Sequence, residues 1–289
     1  MFLKIHKALL FFIFIFIFVV SPIFLWAYSP KRVLEIDFLD IGQGDASLIK
    51  APRGENILID GGPDSKILTC LSEELPWWDR TIDLMILTHP HNDHVSGLID
   101  VLKTYKVKKI AYTGVLHNSP NFLTWLKLIK EKNISMVLIE KEQKINLGEN
   151  CFLEVLYPDT ALFNSHVSNL NNSSIVNKLS CQNKTFLFTG DMESELEEKL
   201  LSKKTNLHAD VLKVGHHGSD TSSTENFLKA VNPQFAIIEV GKNNSFNHPN
   251  RRILKRFEKM GIKIYRTDLD GTVRVLLSNN VLKIKNNKF

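Results

Sequence analysis

Six residues carry the sharpest chemical signal in the chain: His89-Pro90-His91-Asn92-Asp93-His94. They follow the apolar stretch 83–88, which reads as a buried strand, and precede 95–104, which reads as a helix. Burying three imidazoles and a carboxylate together is unfavourable unless a cation organises them. Neutral imidazole and carboxylate suit Zn²⁺ or a similar divalent ion. A strand-to-helix turn places His89, His91 and His94 near one point, with Asp93 beside them. This loop alone leaves a metal incompletely ligated, but further donors stand at the ends of other apolar runs. Phe186-Leu187-Phe188-Thr189-Gly190-Asp191 ends in a carboxylate, and Val211-Leu212-Lys213-Val214-Gly215-His216-His217 ends in imidazoles. Alone, Asp191 reads as a turn or cap residue. Beside the first motif it reads as a carboxylate bridging two ions about 3.5–4 Å apart.

The motifs together resemble the metallo-β-lactamase superfamily and, in finer detail, the C-terminal hydrolase domain of ComEC competence proteins. The resemblance rests on Phe38-Leu39-Asp40-Ile41-Gly42-Gln43-Gly44-Asp45-Ala46, Leu58-Ile59-Asp60-Gly61-Gly62, the HxHxDH loop and Phe188-Thr189-Gly190-Asp191. It continues through Leu212-Lys213-Val214-Gly215-His216-His217-Gly218-Ser219 and Asn247-His248-Pro249 to Tyr265-Arg266-Thr267-Asp268, in order over residues 33–276. The resemblance implies an α+β fold, a four-layer αββα sandwich with the metals at one edge between the sheets. It implies two divalent ions, Zn²⁺ or Mn²⁺, with His89 and His91 on the first and Asp93 and His94 on the second. Asp191 matches the bridge and His216 the later ligand of the second ion, with His217 as the alternative. Asp60 matches a residue that orients the histidine loop from behind the ligands. Many members place a further His ligand between the HxHxDH loop and the bridging Asp. Here His117 and His166 end no clear strand, so an Asn of Asn171-Asn172-Ser173-Ser174, or a water, is expected to complete the first ion, with His166 as the remaining alternative. ComEC proteins join this domain to a many-helix membrane channel, whereas one apolar segment is not expected to form a pore.

The elements that must position these residues are short. Residues 33–39, 47–51, 56–60 and 83–88 read as strands between Gly- and Pro-containing turns. Later strands are expected at 107–112, 134–139, 152–157, 174–179, 185–189, 211–214, 235–240, 263–265 and 272–277. Helices are expected at 65–75 (with Asp64 as N-cap), 95–104, 122–131, 193–202, 225–231 and 250–260. Residues 164–174 form the one long loop. No linker interrupts residues 31–289, which read as one hydrolase domain.

A metal-activated hydroxide attacks carbonyl or phosphorus centres alike, and the superfamily includes lactonases and other carboxyl-ester hydrolases beside phosphodiesterases and nucleases. Two features favour phosphate esters. Ser219, Ser222 and Ser223 precede the helix expected at 225, where backbone N–H groups and hydroxyls suit an anion, although N-capping by Ser223 or Thr224 explains them as well. Residues 241–289 hold twelve Lys or Arg against three Asp or Glu, and Arg251, Arg252, Lys255, Arg256 and Lys259 share one expected helix. Such a surface attracts polyanions, so DNA or another nucleic acid leads as substrate. A small-molecule or cell-envelope phosphodiesterase and a non-catalytic metal-binding module are the other readings. Asp93 and Asp191 are expected to hold and orient the hydroxide, and His248 to protonate a leaving oxygen.

Lys4 and Lys7 precede a nearly unbroken apolar run at 8–27. Residues 1–30 therefore read as a signal peptide or a membrane anchor, with the domain outside the cytoplasmic membrane, anchored or secreted; no protein partner is expected. The three cysteines, Cys70, Cys151 and Cys181, lie far apart in apolar surroundings and read as small buried hydrophobes.

Overall fold

The computed structural model describes residues 33–139 and 143–286, together with Phe14, Phe16 and Phe18. The chain divides into Met1–Arg32 and Val33–Phe289. The anchor or signal expected at 1–30 lies outside the described residues, apart from those three phenylalanines. Among the described residues no helix is long and apolar enough to cross a membrane.

Two sheets face each other. The first has eight strands: β1 (Leu34–Phe38), β2 (Ser47–Lys50), β3 (Asn56–Ile59), β5 (Leu84–Ile86), β7 (Lys109–Tyr112), β8 (Ser135–Leu138), β16 (Val273–Ser278) and β17 (Val281–Asn286). Their order is β17-β16-β1-β2-β3-β5-β7-β8. The second has seven: β9 (Lys144–Gly148), β10 (Cys151–Tyr157), β11 (Val176–Cys181), β12 (Lys184–Phe188), β13 (Val211–Lys213), β14 (Phe235–Ile238) and β15 (Lys263–Arg266). These run in the order β15-β14-β13-β12-β11-β10-β9. A two-stranded pair, β4 (Thr81–Ile82) and β6 (Lys106–Val107), stands apart.

Strand alternation sorts the apolar residues into three cores. Ile36, Phe38, Ile57 and Ile86 meet Leu153, Leu179, Phe186 and Val211 between the sheets. Leu48, Leu58 and Met85 cover the outer face of the first sheet with α1 (Lys66–Glu74), α2 (Asn92–Thr104) and α3 (Pro120–Glu131). Leu187, Leu212 and Ala236 do so on the second with α4 (Ser194–Ser202), α5 (Glu225–Val231) and α6 (Arg251–Lys259). A short helix, α7 (Thr267–Asp270), follows β15. The layers are α, β, β, α, as the resemblance implies.

Three expectations change. The helix after the histidine loop begins at Asn92, not at 95, so Asp93 and His94 ride on its first turn. The edge strands β9 and β17 were not expected; their short alternation carries many Lys and Asn, which blunts the apolar signal. Cys151 and Cys181 are directly opposed on β10 and β11 and form a disulfide rather than two free apolar side chains, while Cys70 is free and buried.

The first sheet presents its site through a close backbone approach. Gly61 N–H donates to the His94 carbonyl at 2.9 Å, and Gly97 N–H donates to Gly62 at 3.0 Å. A Cβ on Gly97 would lie 1.9 Å from the Gly61 oxygen. Gly97→Ala must therefore push α2 off the Asp60 turn, at a cost of about 1–3 kcal/mol. Calorimetry should show Tm falling by roughly 2–12 °C; an unchanged Tm would mean that α2 is not seated on this turn.

Candidate metal centre

Every expected donor stands just beyond the end of a strand or in the first turn of the helix that follows it. Parallel β3 and β5 deliver Asp60 and His89, β12 delivers Asp191, and β13 delivers the His216-His217 turn. His91 caps α2, and Asp93 and His94 occupy its first turn.

Four donors converge. His94 Nε2 lies 3.3 Å from Asp191 Oδ2 and 3.9 Å from Asp93 Oδ2, and His217 Nε2 lies 3.4 and 3.3 Å from the same two oxygens. Tetrahedral donors about 2.1 Å from one ion are separated by about 3.4 Å, so the spacing suits a divalent metal. A second group adjoins it: His89 Nε2 lies 3.0 Å from His91 Nδ1 and 3.9 Å from Asp191 Oδ2. Asp191 Oδ2 thus lies within 3.9 Å of His89 as well as of His94 and His217, between the two sets of donors.

The opposite ring nitrogens are already committed. His94 Nδ1 donates to Asp60 Oδ2 at 2.9 Å, and that carboxyl also accepts from Thr88 N and Oγ1 at 2.8 and 2.7 Å. His217 Nδ1 lies 2.9 Å from the Glu239 carbonyl, which can only accept, so this nitrogen carries the hydrogen. His89 Nδ1 contacts the hydroxyls of Thr88 and Ser174 at 3.1 and 3.3 Å. Each ring thus turns its remaining nitrogen towards the cluster, the arrangement that supports metal ligation. His94 Nε2 and Asp191 Oδ1 are buried without a hydrogen-bond partner, a costly state that a cation relieves.

Charge argues the same way. Asp45, Asp60, Asp191 and Glu239 are each at most 2 % exposed, with Asp93 beside them and Lys213 as their buried lysine. Burial opposes a proton on His94 and His217, but the Asp191, Asp60, Asp93 and Asp45 carboxylates outweigh it and hold both imidazoles well above their usual range. Burial also opposes ionisation of Asp191, yet His217 and His94 keep it well below the usual carboxylate range. Burial and the neighbouring His94 push His89 down.

The structure brings together His89, His91, Asp93, His94 and Asp191, with Asp60 behind them. It corrects the choice within the histidine pair. His216 and His217 both adopt left-handed backbone, at φ 48° and 53°, strain of order 1–3 kcal/mol each that tightly fixed sites tolerate. The turn splays their rings, and only His217 faces the cluster. His216 Nδ1 sits 3.2 Å from Glu193 Oε1 and 3.0 Å from Thr221 Oγ1 instead.

The anion site expected at Ser219, Ser222 and Ser223 is also corrected. Ser222 and Ser223 are fully buried, and Ser222 Oγ donates to the Met192 carbonyl at 2.8 Å. The N–H groups of Ser223 and Thr224 donate to the buried Glu197 carboxylate at 2.5 and 2.9 Å. A side chain of the protein already fills the place proposed for phosphate, and Thr224 is the N-cap of α5. His248 lies outside the cluster, its ring 5.7 Å from His216 and stacked on Phe246. Partial burial and the nearby imidazoles of His216 and His217 lower its pKa.

In the region of the missing middle histidine, Asn171 forms part of a short 3₁₀ turn, and its Oδ1 is buried without a partner. His117 lies beside His91, ring centroids 6.5 Å apart, and lines a cavity of about 380 Å³ with His166, Asn118 and Leu170.

Sequence reading assigned no role to Asp45, Lys213 or Glu239. Lys213 Nζ pairs with Asp45 and donates to the Gly190 carbonyl at 3.0 Å. Asp45 Oδ1 lies 3.2 Å from His217 Nδ1. Glu239 accepts from Ala46 N and Ser47 Oγ, both at 3.1 Å, and burial together with Asp45 pushes its carboxyl up to about 8. A lone charge at the end of an apolar strand, as in Val211-Leu212-Lys213 and Ile237-Ile238-Glu239, was the available signal.

His217→Ala should lose about one metal equivalent by elemental analysis, while His216→Ala retains the wild-type content. Asp60→Asn should weaken metal affinity by about 10–100-fold. Metal binding must displace the protons that His94 and His217 hold, so calorimetry should detect proton release and tighter binding as pH rises. Equal losses from the two histidine variants would reverse the assignment.

The Metallo-beta-lactamase superfamily model matches residues 39–238. ComE operon protein 3 of Bacillus subtilis is 31% identical over 270 residues, 86% of this chain and 33% of that protein. Competence protein ComA of Neisseria gonorrhoeae is 28% identical over 271 residues, 89% of this chain and 35% of its own. The chain thus spans about a third of the length of these relatives. The metallo-beta-lactamase fold protein YhfI of Bacillus subtilis superposes with a TM-score of 0.51 at 12% identity, covering 80% of this chain and 95% of that one. With the αββα layers, the shared Asp191 and the donors at the strand ends, the chain belongs to the metallo-beta-lactamase superfamily.

Proposed function

We propose that this metal-dependent hydrolase cleaves phosphodiester bonds, with DNA or another nucleic acid as substrate, outside the cytoplasmic membrane. The observation that carries the reading is the adjacency of the donor cluster and a basic helix. Asn250 N–H, at the start of α6, donates to the Gly218 carbonyl at 2.9 Å, one residue beyond His217. Arg251, Arg252, Lys255 and Lys259 on that helix are exposed, a cationic surface of the kind that gathers polyanions. The apolar run at 8–27 supports export.

Two divalent ions, Zn²⁺ or Mn²⁺, supply Lewis acidity and a water of lowered pKa when bound. His89, His91 and Asp191 would hold one, and Asp93, His94, Asp191 and His217 the other. The Asp93 side chain is 33% exposed against 3% for Asp191, so Asp93 faces incoming substrate and would accept a hydrogen bond that orients the attacking water. Its carboxylate is held below the usual range despite burial, by His94 and His217, and remains an acceptor at neutral pH. His248, partly buried beside His216, can donate a hydrogen bond to the leaving oxygen. Because Glu197 fills the α5 terminus, α6 is left to meet the phosphates that flank the scissile one.

A panel of single- and double-stranded DNA, RNA, bis(p-nitrophenyl) phosphate and a simple lactone, each with Mn²⁺ and with Zn²⁺, tests the reading. Phosphodiester cleavage is expected, abolished by Asp93→Ala; turnover of the lactone alone would sink it. Neutralising Arg251, Arg252 and Lys255 should raise KM for nucleic acid. It should also flatten the logarithmic salt slope by up to about 0.9 for each phosphate that those side chains neutralise in the wild type. The small diester should be unaffected. Arg256 stays in place, because its guanidinium donates to the Ser223 carbonyl.

A further inference from the structure

Trp77 and Trp78 are 81% and 70% exposed and stand edge-to-face with ring centroids 5.5 Å apart. No part of the candidate centre uses them. Their loop packs where β3 begins, since Asn56 Nδ2 donates to Asp79 Oδ2 at 3.0 Å and to the Thr81 carbonyl at 3.1 Å. β3 and β5 run parallel from that end to Asp60 and His89. β1 points the same way, because β2 is antiparallel to both β1 and β3. Val33 therefore enters the fold at the end that carries the tryptophan pair, and the metal donors lie at the other, roughly 13 Å further along β3.

The sequence ahead of Val33 supplies the occupant. Residues 8–27 are twenty nearly uniform apolar residues, which as a helix cover about 30 Å, the thickness of a bilayer core. From Ala27 to Val33 the chain reaches at most roughly 20 Å. We propose that this end of the domain rests on a lipid bilayer holding residues 8–27, with Trp77 and Trp78 in the headgroup layer and the donor cluster facing away. Indole suits that layer, with its apolar rings towards the acyl chains and its N–H towards water. Near the loop Lys108 pairs with Asp83 and the Arg80 guanidinium lies over the Tyr105 ring, so aromatic insertion is expected to dominate the contact over attraction to anionic lipid. A base-stacking role would place the pair beside the cluster; it lies at the opposite end.

The chain has four tryptophans, Trp26, Trp77, Trp78 and Trp125, and Trp125 is fully buried. The full chain carrying Trp26→Phe is reconstituted into phosphatidylcholine vesicles, with and without lipids brominated near the headgroup. The same protein with Trp77→Ala and Trp78→Ala gives the Trp125 baseline, and its thermal melt verifies the fold. Brominated lipid should remove most of the Trp77 and Trp78 emission, with several-fold weaker acrylamide quenching than for the protein in detergent-free buffer. Neither effect should depend on salt. Emission that ignores brominated lipid and stays open to acrylamide would overturn the proposal. So would protection of the pair by a single-stranded oligonucleotide without lipid, which would make it a base-stacking surface.

Discussion

The structure turns on an excess of buried negative charge at one edge. Asp45, Asp60, Asp93, Asp191 and Glu239 gather there around Lys213, with imidazoles filling the gaps. In a medium of low dielectric such a cluster disperses, protonates or binds cations. Without metal, His94 and His217 hold protons and Glu239 is pushed up to about 8. Those are the responses of a site short of positive charge, and divalent ions provide it without taking protons from solution.

Holding that charge in place falls to contacts between the sheets. Lys213 on β13 reaches Asp45 beyond β1, and Glu239 beyond β14 binds Ala46 and Ser47 at the start of β2. Ile175 N–H donates to the Thr88 carbonyl at 3.1 Å, and Ser174 Oγ accepts from Asp191 N–H at 3.0 Å while touching His89. Each sheet thus positions ligands that the other orients. Glycine makes the approach of α2 possible, since a Cβ at Gly44 would lie 2.2 Å from the Asp93 carbonyl.

The two ends of the parallel strands divide the work. At their carboxyl ends the backbone leaves the sheet in short turns, and side chains from different strands converge there. At their amino ends lie the Asn56–Asp79 contact and the start of the chain's folded part. A polyanion gathered by α6 and a lipid surface met by Trp77 and Trp78 would occupy opposite ends of the domain.

The sequence by itself showed the candidate donors and their order, because strand-final His and Asp residues stand out against apolar runs whatever the tertiary contacts; the layered fold came only as what the resemblance to the superfamily implies. It also marked Asp60, whose partner His94 lies within the sharpest motif. It put His216 ahead of His217, which are adjacent, share a left-handed turn and differ only in where their rings point. It placed an anion at Ser219 to Ser223, where Glu197 from a separate helix occupies the amides; a helix terminus shows that an anion is wanted and not which one arrives. It read Cys151 and Cys181 as separate because their pairing depends on the register of β10 against β11. Lys213 and Glu239 were visible as charges in apolar strands, but their partners Asp45 and Ser47 are supplied by the facing sheet. Local pattern fixes what each strand end carries, and only the packing of two sheets decides which of those ends meet.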